Sequence, residues 1–130
     1  MRTGILGGTF NPIHIGHLIL AEEAFSKLKL DNIIFIPTYI PPHKDVEGKI
    51  KPKDRLKMVE LAVEDNPAFE CSSLEIDLRK TSYSVDTLKV LKEKYGEDSQ
   101  LYMITGSDLL KDLFSWKDVN EIFKMSKFIV

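Results

Sequence analysis

One cysteine, no long apolar run and almost no net charge limit what this chain can be. Cys71 stands alone among 130 residues, which excludes an internal disulfide and a multi-cysteine zinc site. A lone cysteine fits a reducing compartment. No stretch approaches the roughly 18 apolar residues of a membrane span. The opening MRTGILGGTFNPIH is too short and too interrupted in its apolar part for a secretory leader. The expectation is a soluble cytoplasmic protein without a membrane partner. A net charge of −2 leaves no basic footprint for nucleic acid. Internal repeats and low-complexity tracts are absent. So are the two common phosphate-cradle motifs, G-x-x-x-x-G-K-[ST] and G-x-G-x-x-G.

What is present is an ordinary globular balance, 43% apolar and 29% charged, long enough for one domain with its own core. Five apolar runs read as strands: Thr3–Leu6, Asn32–Pro37, Phe69–Asp77, Leu101–Thr105 and Lys127–Val130. Unbroken runs such as IIFI and LYMI suit a parallel sheet covered on both faces. Helical stripes lie between them: Leu18, Ala21, Phe25 and Leu28; Leu56, Val59 and Val63; Val85, Leu88 and Leu91. Ser84, followed by Asp86, is placed as one N-cap, and Ser107, followed by Asp108, as another. Ser115 and Asp118 have the spacing of a capping box. The alternation predicts an α/β fold, a doubly wound parallel sheet between two helical layers. Ligands of such sheets sit beyond the carboxyl ends of the strands.

The segment from Gly7 to His17, GGTFNPIHIGH, joins the first strand to the first helix. Gly7 and Gly8 allow close approach of a phosphate and positive φ. The helix N-terminus adds free N–H donors and the positive end of the dipole. His14 and His17 stand three apart there, so both imidazoles project to one side and can bind one polyphosphate. Gly16 between them leaves room for a nucleotide. A metal pair would need a third ligand, and His43 is the one remaining histidine. General base and structural roles stay open on the residues alone.

The longest loop, Thr38–Pro52, holds three of the six prolines. A loop of that length suits a binding segment. Between Lys44 and Lys57 six positive side chains face three negative ones, which favours an anion. The chain closes on Phe128-Ile129-Val130, the start of a buried strand without a following turn.

The stretch GGTFNPIHIGH resembles the nucleotidyltransferase motif [HT]-x-G-H, here His14-Ile15-Gly16-His17. Within that superfamily the chain most resembles the bacterial nicotinate-nucleotide adenylyltransferases. Ile36-Pro37, Pro41-Pro42-His43-Lys44 and Arg55-Leu56-x-Met58 look like the family's phosphate-facing loop and its sequel. Arg79 and Ser82-Tyr83-Ser84-Val85-Asp86-Thr87 resemble its nicotinate side. Gly106-Ser107-Asp108 and Ser115-Trp116 resemble two later motifs. The resemblance spans essentially the whole chain.

It implies a Rossmann-like sheet and adenylyl transfer from ATP to nicotinate mononucleotide, releasing pyrophosphate. His14 and His17 would be catalytic. Gly7, Gly8, Thr9, Phe10, Gly16, His43 and Lys44 would join them in holding ATP and its phosphates. Tyr83, Ser84, Thr87, Asp108 and Trp116 would hold the mononucleotide. Mg²⁺ would ride on the phosphates, with no protein ligand assigned. A homo-oligomer stays open.

Two departures stand out. Arg79-Lys80-Thr81-Ser82 is one residue shorter than the family pattern, and the later [ST]-x-[ST]-x-x-R motif that contacts ATP is absent. Residues 1–130 are thus expected to form one nucleotidyltransferase domain lacking its C-terminal portion. The rival readings are a pantetheine-phosphate or nicotinamide-mononucleotide adenylyltransferase, and a nucleotide-binding fragment without turnover.

Overall fold

A computed structural model of the chain describes residues 1–8, 10, 12–39, 51–78, 83–96, 98–105 and 116–129. Strand β1 (Arg2–Gly8) leads through the glycine pair to helix α1 (Ile15–Leu28). Strand β2 (Asn32–Pro37), helix α2 (Pro52–Val63) and the short strand β3 (Phe69–Cys71) follow. Helices α3 (Leu74–Leu78) and α4 (Ser84–Tyr95) precede strand β4 (Gln100–Ile104). Helix α5 (Val119–Met125) runs straight into strand β5 (Ser126–Ile129).

The strands form one sheet in the order β3-β2-β1-β4-β5. Every neighbouring pair is parallel. This is the doubly wound α/β arrangement that the alternating runs imply. The chain winds outward from β1 on one side through β2 and β3, then crosses to β4 and β5 on the other. The crevice between the carboxyl ends of β1 and β4 is therefore the topological switch point.

Period-two alternation along the strands divides the core into two. Leu6, Ile33, Phe35, Tyr102 and Ile104 meet Ala21 and Ala24 of α1 and Val59 and Val63 of α2. Ile5, Ile34, Ile36, Leu101 and Met103 meet Val85, Leu88 and Leu91 of α4 and Ile122 of α5. Strand β2 is buried along its whole length, as an unbroken apolar run requires. Cys71 is half-buried, and burial pushes its thiol up to about 11, so it carries no reactive thiolate at neutral pH. No helix among the described residues is long and apolar enough to cross a membrane.

Three local expectations are corrected. The run Phe69–Asp77 is a strand only through Cys71. Ser72 and Ser73 then turn the chain into α3: the Ser72 hydroxyl accepts from the Leu74 N–H (3.2 Å), and the Ser73 carbonyl accepts from the Asp77 N–H (2.8 Å). Serine side chains compete with a ladder in this way. At α4 the N-cap is Tyr83, and Ser84 is the first helical residue. Helix α5 begins at Val119, with Asp118 itself the N-cap in a left-handed conformation (φ 51°); the expected box would have started the helix a turn earlier. Ser107 and Ser115 lie outside the described residues.

Gly4 shows how closely β1 is covered. A Cβ there would stand 2.9 Å from Leu30 Cδ1, 3.0 Å from Ile104 Cδ1 and 3.2 Å from Ile33 Cγ1. Three apolar side chains, from β2, β4 and the link between α1 and β2, would have to shift together. Gly4→Ala is expected to cost about 1–3 kcal/mol of stability, measured from the urea midpoint at unchanged slope; a wild-type midpoint would contradict this packing.

Candidate active site

The turn from β1 to α1 is built by reciprocal backbone capping. His14 is the N-cap of α1, in extended conformation. Its Nδ1 accepts from the Gly16 N–H at 3.1 Å. The His17 Nδ1 reaches back and accepts from the His14 N–H at 3.0 Å. Helix N-termini leave donors without partners, and here two imidazoles satisfy two of them, as Ser and Glu do in the usual capping box. The rings are tilted by 30° to one another, with centroids 3.9 Å apart.

This geometry decides the tautomer. A ring nitrogen that accepts a hydrogen bond carries no proton, so a neutral imidazole so held has its hydrogen on Nε2. Both histidines therefore present an Nε2–H donor, and His14 is exposed. Burial, and next the proximity of His14, hold the His17 pKa below its ordinary value of 6.5. A pair of Nε2–H donors at the positive end of a helix suits phosphate oxygens.

Gly16 and Phe10 complete the turn. A Cβ on Gly16 would stand 2.9 Å from the His14 Cε1 and 3.0 Å from its Nδ1. The room Gly16 provides is thus taken first by the capping ring, where the sequence suggested a nucleotide. Phe10 has φ of +49°, a conformation costing a non-glycine residue of order 1–3 kcal/mol. Its ring is buried, makes an edge contact with His17 (centroids 4.9 Å) and lies 3.7 Å from where a Gly8 Cβ would be. Gly7 and Gly8 belong to β1, and the expected positive φ falls on Phe10 instead.

On the α4 side, Tyr83 and Trp116 pack against the same apolar cluster, and Trp116 lies 6.0 Å from Phe128 between ring centroids. The Lys117 ammonium sits 4.9 Å from the Tyr83 ring centroid. No side-chain hydrogen bond caps α4 among the described residues. Thr87 is buried, and its hydroxyl donates to Glu75 Oε2 at 2.8 Å. The buried Glu75 carboxyl is pushed above its ordinary value by desolvation, with the Thr87 hydrogen bond working against the shift. Sequence reasoning missed Glu75 because it read that segment as strand. Thr9, His43, Lys44 and Asp108 lie outside the described residues. Among the described residues no three of His, Cys, Asp and Glu are grouped to hold a metal.

Residues 5–130 match the cytidylyltransferase-like family model. A Thermoanaerobacter protein assigned as a nicotinate-nucleotide adenylyltransferase is 46% identical over 129 residues, covering 99% of this chain and 61% of its own length. A Geobacter sulfurreducens protein with the same assignment is 47% identical over 130 residues, covering 100% and 60%. The chain thus spans about three fifths of the length of these relatives. Among solved structures, one assigned as a nicotinate-nucleotide adenylyltransferase from Vibrio parahaemolyticus superposes with a TM-score of 0.79 at 20% identity, over 98% of this chain and 75% of that one. The Plasmodium falciparum nicotinic acid mononucleotide adenylyltransferase complexed with NaAD gives 0.77 at 21% identity, over 93% and 59%. By its match along nearly its whole length, the chain belongs to the cytidylyltransferase-like family.

Proposed function

We propose that the protein transfers an adenylyl group from Mg·ATP to nicotinate mononucleotide, forming nicotinate adenine dinucleotide and pyrophosphate in NAD synthesis in the cytoplasm. The observation that carries this reading is the pair of Nδ1-locked imidazoles at the N-terminus of α1, beside the switch point of the sheet. The assignments of the relatives support the substrates.

The reaction needs little from the protein beyond placement and charge. The 5′-phosphate of the mononucleotide is already ionised. One of its oxygens attacks the α-phosphorus in line, the new P–O bond forms, and the bond to pyrophosphate breaks. No proton has to be abstracted. Negative charge grows on the single oxygen that bridges the α- and β-phosphorus as it leaves with pyrophosphate, where the Nε2–H donors and the helix N-terminus are suited to receive it. The Mg²⁺ enters as part of the ATP substrate, carried on phosphate oxygens.

In this reading the backbones of Gly7, Gly8, Thr9 and Phe10 line the phosphates, and His43 and Lys44 add charge to them. The first-turn amides at Tyr83 and Ser84 receive the nicotinate carboxylate, and Trp116 stacks on its ring. Asp108 meets the mononucleotide. Thr87 acts at one remove, since its hydroxyl is bonded to Glu75.

The decisive measurement is pyrophosphate release from Mg·ATP with nicotinate, nicotinamide and phosphopantetheine acceptors in parallel. Nicotinate mononucleotide is expected to be preferred; equal rates with all three would overturn the substrate reading. Losing one preorganised donor typically costs about 2.7–4 kcal/mol of barrier, so His17→Ala should lower turnover at least about a hundredfold. His17→Asn keeps an acceptor for the His14 N–H but lacks the Nε2–H donor. It should retain the helix by circular dichroism and still lose the rate, whereas a wild-type rate would sink the role.

The lowered His17 pKa also predicts a pH dependence of stability. As pH falls, the unfolded chain takes up this proton before the folded one. The stabilisation is complete above about pH 6.5 and is lost as pH falls through the lower folded value. The thermal midpoint should therefore decline as pH falls below about 6.5, and His17→Asn should flatten that part of the curve. An unchanged slope in the variant would show that His17 is not the titrating group.

A further inference from the structure

Arg55 is among the largest fully buried side chains, 1% exposed, in the first turns of α2. That is an unfavourable place for a cation, which there faces the positive end of the helix dipole. An apolar side chain of similar size would fill the volume without desolvating a charge. What the guanidinium supplies is a two-armed donor. Its Nη1 donates to the Thr38 carbonyl at 2.6 Å and its Nη2 to the Tyr39 carbonyl at 3.1 Å. Two successive carbonyls just past the end of β2 are thus held by one planar fork, which the point charge of a lysine cannot match.

Thr38 connects this grip to the site. Its N–H donates to the Gly8 carbonyl at 2.9 Å, extending the β1–β2 ladder one step beyond the Gly8–Pro37 pair. The line from α2 runs Arg55 guanidinium, Thr38 backbone, Gly8 carbonyl, and ends at the strand terminus that faces the His14–His17 turn. The Thr38 hydroxyl is buried without a hydrogen-bond partner among the described residues, so Thr38 is held by its backbone rather than its side chain.

We infer that Arg55 is a positioning residue for nucleotide binding: by clamping Thr38 and Tyr39 it fixes the Gly8 end of β1 where the ATP phosphates dock. This rests on the functional reading above. Misplacing a binding group by a fraction of a bond length is costly even when the group itself is untouched.

Arg55→Met keeps the volume and removes both donors; Arg55→Lys keeps the charge and restores one point donor. Mg·ATP affinity is measured by calorimetry on the folded proteins, with amide exchange at Thr38 followed by NMR. The expected result is a dissociation constant raised at least about tenfold in the Met variant and about threefold in the Lys variant, with faster Thr38 exchange in both. If the Met variant fails to fold, the Lys variant decides by the same criterion. Wild-type affinity in a folded variant overturns the inference, including where only the thermal midpoint has dropped, which marks a merely structural arginine. A wild-type protein that binds no Mg·ATP overturns the functional reading and this inference together; wild-type binding with unmoved variants overturns this inference alone.

Discussion

The two capping hydrogen bonds, from the His14 N–H to the His17 ring and from the Gly16 N–H to the His14 ring, are the constraint on which the site depends. A histidine used only as a phosphate ligand could be protonated on either nitrogen and could rotate. Here each Nδ1 is occupied by a backbone N–H, so ring orientation, tautomer and helix start are one structural fact. Protonation of either Nδ1 would break a cap and charge a donor at once. The cap also dictates its neighbours. The His14 ring needs the space over Gly16, and the His17 ring rests against the edge of Phe10. Phe10 reaches that contact only by adopting a left-handed backbone, and its burial in the core offsets that strain.

The sheet supplies the rigidity that such a turn requires. Strand β1 lies between two parallel neighbours, and β2 beside it is buried throughout. Gly4 lets side chains from α1's exit, β2 and β4 close over β1 without a gap. At the carboxyl ends the ladder continues through Thr38 to Gly8, with Arg55 behind it. A buried pair, Glu75 with Thr87, ties α3 to α4 on the other side of the crevice. The Arg55 guanidinium and the Glu75–Thr87 pair are thus bonded to backbone or to each other, while the buried Thr38 hydroxyl has no hydrogen-bond partner among the described residues. That fixes the walls while leaving the exposed imidazole of His14 and the uncapped start of α4 toward solvent.

Much of this architecture is legible in residue order. IIFI reads as a strand because an apolar run that short, bounded by Asn32 and Pro37, can only be covered on both faces. Leu88 and Leu91 predict the buried face of α4 by period alone, and the GGTF…HIGH segment marks the strand–helix turn. Three features escape such reading, each for a physical reason. The Ser72–Ser73 break depends on hydroxyl and carbonyl hydrogen bonds that form only once β3 ends against Phe35. The positive φ at Phe10 goes against its intrinsic preference and is held by tertiary packing. Glu75 falls in a run that reads as strand and Arg55 looks like one of several solvated charges, and the burial of both is a property of the assembled layers, invisible in local periodicity.

The histidine pair also shows why the motif's spacing is informative beyond a count of ligands. Two imidazoles meant only to touch a common phosphate could sit at many separations on converging elements. A separation of three, with the first histidine at the N-cap and a glycine two residues after it, directly before the helix's third residue, suits reciprocal capping. The spacing is therefore explained by the helix before any substrate is invoked. In the proposed reaction the substrate would use the nitrogens that capping leaves over. The same two rings that start α1 have their orientation fixed by the Nδ1 bonds, so under the proposed function the fold would prepare the chemistry without a separate device to orient it.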